Sequence, residues 1–257
     1  MMKEERQQAI LNILNSSGFV EVSQLCRVFD VTEMTIRRDL NELAAKKRVI
    51  RSHGGAILPA GSSTGEDPYA VRIMDNLDRK EAIARAALRF VQNGEKVFFD
   101  SSTSAYCLAR KLTNEHSFVA VTDTIYTAME LMTRTGIKVI CIGGELNKST
   151  GACTGVFAED MYERMVFDTA FIGVSQITVD GQITTKSVDE YKSKRQIMHR
   201  SKRTILLADS SKIGDSGFLQ TASLRDLYAM VTDDGVSPEF VSNCRKHGHR
   251  LIIAPTA

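Results

Sequence analysis

The sequence predicts an α/β protein in two parts: a small helical head closed by a β-hairpin, then a larger domain on an open parallel sheet. Three observations carry this. Short helical patterns and a pair of brief extended stretches fill the N-terminal segment. A stretch rich in Gly, Ser and Pro, Pro59 to Pro68, then breaks the chain. Beyond it, continuous apolar runs rich in β-branched residues alternate with helical patterns, as in a parallel sheet covered on both faces.

In the head, Ala9, Ile10, Ile13 and Leu14 form the stripe of a first helix that Ser16-Ser17-Gly18 ends. Phe19-Val20-Glu21-Val22 reads as a short extended stretch. Ser23 is the expected cap of a second helix carrying Leu25, Val28 and Phe29, and Asp30-Val31 makes a tight connection. Thr32 is the expected cap of a third helix, with Glu33 suited to its first turn. Advancing about 100° per residue from Ile36 brings Leu40 and Leu43 within about 40° of it. Met34, Arg38 and Asn41 then lie roughly opposite, with Thr35 and Arg37 on the flanks. Val49-Ile50-Arg51 and Ala56-Ile57-Leu58 are two strands joined by the turn Ser52-His53-Gly54-Gly55. That makes a wing beside the third helix, and the head reads as a winged helix-turn-helix.

The expected boundaries are 1–58 for the head, 59–74 for a linker and 75–257 for the larger domain. In that domain helices are expected around Lys80–Val91, Ser104–Leu112, Thr124–Thr133, Val188–His199 and Pro238–His247. Strands are expected at Lys96–Phe99, Phe118–Val121, Lys138–Ile142, Thr169–Ile172, Thr204–Ala208, Met230–Val231 and Leu251–Ile253. The pattern is Rossmann-like.

Composition narrows the function class. The 257 residues are 43% hydrophobic and 25% charged, ordinary for a globular chain. No apolar run is long enough to span a membrane, and the charged N-terminus is unlike a signal peptide, so a cytoplasmic protein is expected. The five cysteines are scattered without a CxxC pair, which favours free thiols over a metal site or disulfides. His247 and His249 lack the company of further ligands, so no metal is expected. The net charge of +2 says little by itself. Its distribution says more: Arg37, Arg38, Lys46, Lys47, Arg48 and Arg51 crowd together, opposed only by Asp39 and Glu42. Such a local basic patch is the expected footprint of phosphate contacts, although charge alone favours a solvated helix face.

A helix with an apolar back and an Arg/Thr/Asn front can enter a major groove, where Arg reaches guanine acceptors and Asn pairs with adenine. The expected DNA-contacting residues are Met34, Thr35, Arg37, Arg38 and Asn41, with Arg51 and His53 from the wing. The chemistry of the larger domain gathers at strand ends, where open α/β sheets bind ligands. The strand ends carry Asp100-Ser101-Ser102-Thr103-Ser104, Thr122-Asp123-Thr124, Gly143-Gly144-Glu145, Gly173-Val174-Ser175 and Asp209-Ser210-Ser211-Lys212. Each turn taken singly reads as helix capping by Ser, Thr or Asp. Hydroxyls and N–H groups at a helix start also suit a phosphate, and five such ends on one sheet edge favour a ligand site. Glu190 and Lys194 share a helical face and, on spacing alone, read as a surface ion pair.

These residues resemble a known family. Glu33-Met34-Thr35-Ile36-Arg37-Arg38-Asp39-Leu40 and Val49-Ile50-Arg51-Ser52-His53-Gly54-Gly55-Ala56 look like the recognition helix and wing of DeoR-type repressors. Phe99-Asp100-Ser101-Ser102-Thr103-Ser104, Val121-Thr122-Asp123, Ile142-Gly143-Gly144, Phe167–Gly173 and Leu207–Lys212 are similar to that family's sensor domain, in order. The resemblance implies a fold akin to sugar-phosphate isomerases, a phosphorylated sugar-like effector, and a homo-oligomer, dimer or tetramer, on a palindromic DNA operator. It carries the family's Asp-x-Gly-Thr-Thr loop onto Asp100, Ser102, Thr103 and Ser104, and its Glu and Lys onto Glu190 and Lys194. Here Ser102 stands for the glycine, Ser104 for the last threonine, Asp123 where asparagine is common, and Ser175-Gln176 in a stretch often richer in glycine. The expected effector set is thus Asp100, Ser102, Thr103, Ser104, Thr122, Asp123, Gly143, Gly144, Gly173, Ser175, Glu190, Lys194 and Lys212. No catalytic residue and no cofactor are expected. The rival reading is a sugar-phosphate isomerase or deaminase-like enzyme with an accessory DNA-binding head. A dinucleotide-binding regulator is disfavoured, because the first strand turn lacks Gly-x-Gly-x-x-Gly.

Overall fold

The computed structural model describes residues 2–17, 19–46, 48–52, 54–57 and 69–256. The chain divides into two compact units, Met1–Leu77 and Asp78–Ala257. The first contains α1 (Lys3–Ser17), β1 (Phe19–Glu21), α2 (Val22–Phe29), α3 (Glu33–Ala45), β2 (Ile50–Ser52), β3 (Gly55–Ile57) and α4 (Tyr69–Met74). Its core is Ile10, Leu14, Val20, Leu25, Ile36, Leu40, Leu43, Val49 and Ala56. The stripes expected of the first and third helices therefore do face inward.

The caps divide. The Thr32 hydroxyl accepts the Thr35 N–H at 3.4 Å, as its type and place predict. Ser23 does not cap α2. That helix starts two residues earlier, with Glu21 in the cap position and no side-chain cap, while the Ser23 hydroxyl donates to the Glu21 carboxylate. The left-handed turn at Asp30, φ 51°, closes α2. The expected two-stranded wing gains a third strand, in the order β1-β3-β2. Gly55 pairs with Glu21 there, and a Cβ at Gly55 would stand 1.9 Å from the Val20 carbonyl oxygen. Part of the stretch expected to be linker is the helix α4, whose Tyr69, Ile73 and Met74 are buried. The rest of that stretch, 59–68, lies outside the described residues, as do Leu58 and His53 of the expected wing.

All but the first residue of α5 (Leu77–Ala87) belongs to the second unit, which then alternates: β4 (Lys96–Phe99), α6 (Thr103–Lys111), β5 (Phe118–Thr122), α7 (Ile125–Leu131) and β6 (Ile137–Cys141). A short hairpin of β7 (Glu145–Leu146) and β8 (Cys153–Thr154) leads to α8 (Val156–Arg164) and β9 (Phe167–Ile172). Then come β10 (Gln176–Thr178), β11 (Gln182–Thr185), α9 (Val188–His199), β12 (Ser201–Leu207), β13 (Ile213–Gly214), β14 (Leu219–Ser223), β15 (Ala229–Asp233), α10 (Pro238–Lys246) and β16 (Leu251–Ala254).

Seven strands form one parallel sheet in the order β16-β15-β12-β9-β4-β5-β6. Consecutive residues Val97, Phe98 and Phe99 are all buried, which is why β4 reads as an unbroken apolar run. Phe98 packs on Phe167, and Phe99 on Phe171, across the β4–β9 pair. The strand order reverses between these two. The chain winds from β4 to β5 and β6 on one side, then returns to β9 and runs to β16 on the other. Such a switch point opens a crevice at the carboxyl ends of its strands. Several features of this unit are not legible in the sequence, among them the helix α8, the hairpin of β7 and β8, and a four-stranded satellite sheet in the order β13-β10-β11-β14. Strands such as Gln176-Ile177-Thr178 are too short and polar to show a pattern, yet Ile177 and Ile183 are fully buried.

Candidate functional site

On the head, α3 presents the expected face. Met34, Arg37, Arg38 and Asn41 are exposed, and Thr35 is half-buried. Arg37 is braced by Glu33 one turn back, at 2.6 Å, and Arg38 lies 3.7 Å from Glu42. Glu42 is also engaged by Lys3 and Gln7, so much of its charge is answered from α1. Asp39 does not oppose the basic patch at the surface. It points inward, 2% exposed, and takes a 2.5 Å bond from Arg6. That bond raises the Arg6 pKa. The outward charge of α3 is thereby more positive than its composition suggests. Arg51 sits on β2, where burial, and then the positive charge of Arg37, push its guanidinium pKa down. Its Nη1 is buried without a partner among the described residues. Two neighbouring guanidiniums, one short of acceptors, are a good fit to a phosphate.

In the larger unit the site is built on Asp100, directly after β4. Its Oδ1 accepts the Ser102 N–H at 3.0 Å. Its Oδ2 accepts the Gly173 N–H at 2.8 Å and the Lys194 ammonium at 2.6 Å. One carboxylate thus ties together the two strand ends that flank the switch point. Gly173 is needed there, because a Cβ would stand 2.3 Å from that of Ser102. Ser102 caps α6, its hydroxyl accepting the Ala105 N–H at 3.2 Å. With φ −76° and ψ 148°, the position demands no glycine. Thr103 and Ser104 follow in the first turn of α6, both buried, and no hydrogen bond of either hydroxyl is found among the described residues.

Glu190 and Lys194 are not a plain surface pair. Lys194 is 5% exposed, and its ammonium lies 3.7 Å from Glu190 as well as against Asp100. Burial opposes its charge, but Asp100 and then Glu190 more than offset that, and its pKa is raised. Glu190 also accepts the Ser175 hydroxyl at 2.9 Å. Six of the expected residues, Asp100, Ser102, Gly173, Ser175, Glu190 and Lys194, therefore form one bonded cluster. Asp123 stands at the end of the adjoining strand β5. Tyr162, on the helix missed in the sequence, donates to its Oδ2 at 2.9 Å. Burial, then the charge of Asp100, push the Asp123 carboxyl up to about 7. Thr122 is fully buried, and its hydroxyl accepts the Thr124 N–H.

The remaining expected residues stand further out. Lys212 ends a 3-10 turn, Ser210–Lys212, that Asp209 caps at the end of β12. The neighbouring Asp233 holds the same turn through the Ser210 N–H and hydroxyl. Gly143 and Gly144 follow the edge strand β6 and are exposed. Gly144 serves the packing of the hairpin: a Cβ there would lie 2.5 Å from the Thr154 carbonyl oxygen. Among the described residues, no group of three or more His, Cys, Asp or Glu is arranged to hold a metal ion. No described helix is long and apolar enough to cross a membrane.

Comparison with known proteins agrees with both halves. Residues 6–61 match a family profile described as a DeoR-like helix-turn-helix domain, and residues 75–234 match the DeoR C terminal sensor domain. The chain is 34% identical to an HTH-type transcriptional regulator of Bacillus subtilis, over 99% of this chain and 98% of that one. It is 32% identical to the glycerol-3-phosphate regulon repressor of Escherichia coli, covering 91% and 92% of the two chains. Among solved structures, a ribose 5-phosphate isomerase from Methanocaldococcus jannaschii aligns over 54% of this chain and 55% of its own, at 16% identity and a TM-score of 0.40. Head and sensor domain together place the chain in the DeoR family of helix-turn-helix transcriptional regulators.

Proposed function

We propose that the protein is a cytoplasmic repressor of genes for carbohydrate or related metabolism, released from its operator by a phosphorylated sugar-like effector. The observation that carries the effector half is the Asp100 cluster at the switch point. A carboxylate and a buried lysine fix its geometry, and the start of α6 lies beside it with two hydroxyls. Helix starts of this kind suit phosphate, and the carboxylates suit sugar hydroxyls. The relative named as a glycerol-3-phosphate regulon repressor supports the same class of ligand. A thermal-shift screen with glycerol 3-phosphate, ribose 5-phosphate, glucose 6-phosphate and inorganic phosphate tests this, followed by operator release with each hit. Stabilisation together with release is the expected result. Binding without release, or turnover of a sugar phosphate, would count against the regulator reading.

The DNA half rests on α3. One recognition helix covers only a few base pairs, so a symmetric homo-oligomer, dimer or tetramer, on a palindromic operator is the natural arrangement. Arg38→Ala is expected to weaken operator binding and leave the fold intact, since this side chain is 80% exposed. Reading a guanine makes the loss about 1–3 kcal/mol and base-selective, whereas a phosphate contact makes it uniform across sequences. Fluorescence anisotropy on the operator and on scrambled DNA separates the two. Wild-type affinity in both Arg37→Ala and Arg38→Ala would remove these residues from the interface.

A further inference from the structure

At the end of β5, three buried polar atoms have no hydrogen-bond partner among the described residues: Asp123 Oδ1, Thr124 Oγ1 and Thr127 Oγ1. Asp123 is 3% exposed and both threonines are fully buried. Buried side-chain polar atoms are nearly always paired in folded proteins, so three orphans within one turn call for a partner. Local capping does not account for them. Ser102, Ser187 and Ser237 stand at the starts of α6, α9 and α10, and each accepts a backbone N–H. Thr124 holds the same position on α7, with an extended backbone, yet makes no capping bond.

The hairpin segment encloses this turn. Cys153 donates its N–H to the Asp123 carbonyl at 2.6 Å, and Ile125 donates to Gly151 at 3.2 Å. Thr124 and Ala152 form a bridge between the two segments. On the other side lies the Asp100 cluster: Asp100 and Lys194 both act on Asp123 electrostatically, and Tyr162 holds its second oxygen. Asp123 is thus a buried carboxyl with one donor bond and a negative neighbour, short of a second donor.

We infer that Asp123, Thr124 and Thr127 form a hydroxyl-recognising subsite that receives the polyol end of a phosphorylated effector, a ligand hydroxyl donating to Asp123 Oδ1. The inference rests on the effector reading above and assigns the two ends of the ligand. The phosphate is kept from this turn by Asp123 and Asp100, and goes to the start of α6, on the neighbouring strand β4. Adjacent strands lie about 4.8 Å apart. A phosphomonoester with a hydroxylated carbon chain can reach from one strand end to the next. Inorganic phosphate fills only one end, and a second anionic group in place of the polyol is rejected.

The test replaces the orphan hydroxyls by methyl groups. Thr124→Val, Thr127→Val and the double variant of the full chain are compared with wild type by thermal unfolding, and by calorimetry with the four compounds of the screen. Without ligand, the valine variants are expected to be at least as stable as wild type, because each loses a buried unpaired oxygen. Affinity for the sugar or polyol phosphate that binds wild type best should fall about tenfold or more in the double variant. Affinity for inorganic phosphate should stay within about twofold. Thr124→Ser with Thr127→Ser keeps both hydroxyls and should retain binding, which controls for packing. Unchanged affinity for that compound in the double valine variant overturns the subsite. So does a drop in unliganded stability with equal affinities, the signature of a structural water. Failure of all four compounds to bind wild type strikes the effector reading itself and takes the subsite with it.

Discussion

Lys194→Met should destabilise the larger unit by about 3–5 kcal/mol, the usual cost of stranding one member of a buried ion pair. The Lys194 ammonium lies 2.6 Å from Asp100, and the two side chains are 6% and 2% exposed. Methionine matches the length of the lysine stem but leaves the Asp100 carboxylate with only the Ser102 and Gly173 N–H groups. Glu190, 3.7 Å from the ammonium, loses its counter-charge too. Denaturant unfolding checks the value, followed by a signal from the larger unit, because two units need not unfold together. A companion variant sharpens the attribution. Adding Asp100→Asn to Lys194→Met removes both charges and should recover a large part of the loss, since replacing a whole buried pair costs far less than breaking it. The pH dependence has a definite sign. Lys194 has a raised pKa in the folded state, so its stabilisation is complete below the ordinary lysine pKa and is lost only as pH rises through the folded value. A loss below about 1 kcal/mol at neutral pH would show a pair screened like a surface one.

The sequence discloses some of this arrangement and hides the rest for a physical reason. Periodicity reports which face of an element is buried, so Ile36, Leu40 and Leu43 marked the back of α3 and Val97 to Phe99 marked a central strand. Local signatures report turns, so Thr32 was legible as a cap and Asp100 to Ser104 as a strand end running into a helix. Partnerships across the chain leave no such trace. Lys194 and Asp100 are 94 positions apart, and the four-residue spacing of Lys194 to Glu190 suggests a plain surface pair. It was the family resemblance, not the spacing, that raised them. Asp39 has the same lesson: on a basic helix it counts as a surface charge until Arg6, 33 positions earlier, is seen to bury it. Ser23 failed as a cap because Glu21, held extended by its pairing with Gly55, already occupies the cap position. Thr124 looks like a cap because its hydroxyl stands at a helix start, and Thr127 lies inside an expected helix; only the packed structure shows that both hydroxyls are buried and unpaired among the described residues.

Thr103→Ala combined with Lys212→Ala should give a protein that holds its operator and no longer lets go. Thr103 is 7% exposed in the first turn of α6, and its hydroxyl, like the Lys212 ammonium, has no hydrogen bond or ion pair among the described residues. Neither substitution disturbs what shapes the site. Ser102 still caps α6, and Asp209 still caps the turn that carries Lys212. Each bond to a charged phosphate is worth roughly 1.5–3 kcal/mol, so losing both should weaken effector binding by about two to four orders of magnitude. Operator affinity without effector should match wild type, because both changes lie outside the head. Release follows only if the effector prefers the state that cannot hold DNA, and an effector that no longer binds cannot shift that balance. The two single variants add a geometric check. β4 and β12 are separated by one strand, β9, so Thr103 and Lys212 approach a ligand from opposite sides of the switch point. If both touch the same phosphate, their effects should be coupled and the double loss should differ from the sum of the singles. Additive losses would place Lys212 on a different part of the ligand. A double variant that releases the operator at the wild-type concentration of the same compound would place the phosphate away from the start of α6 altogether.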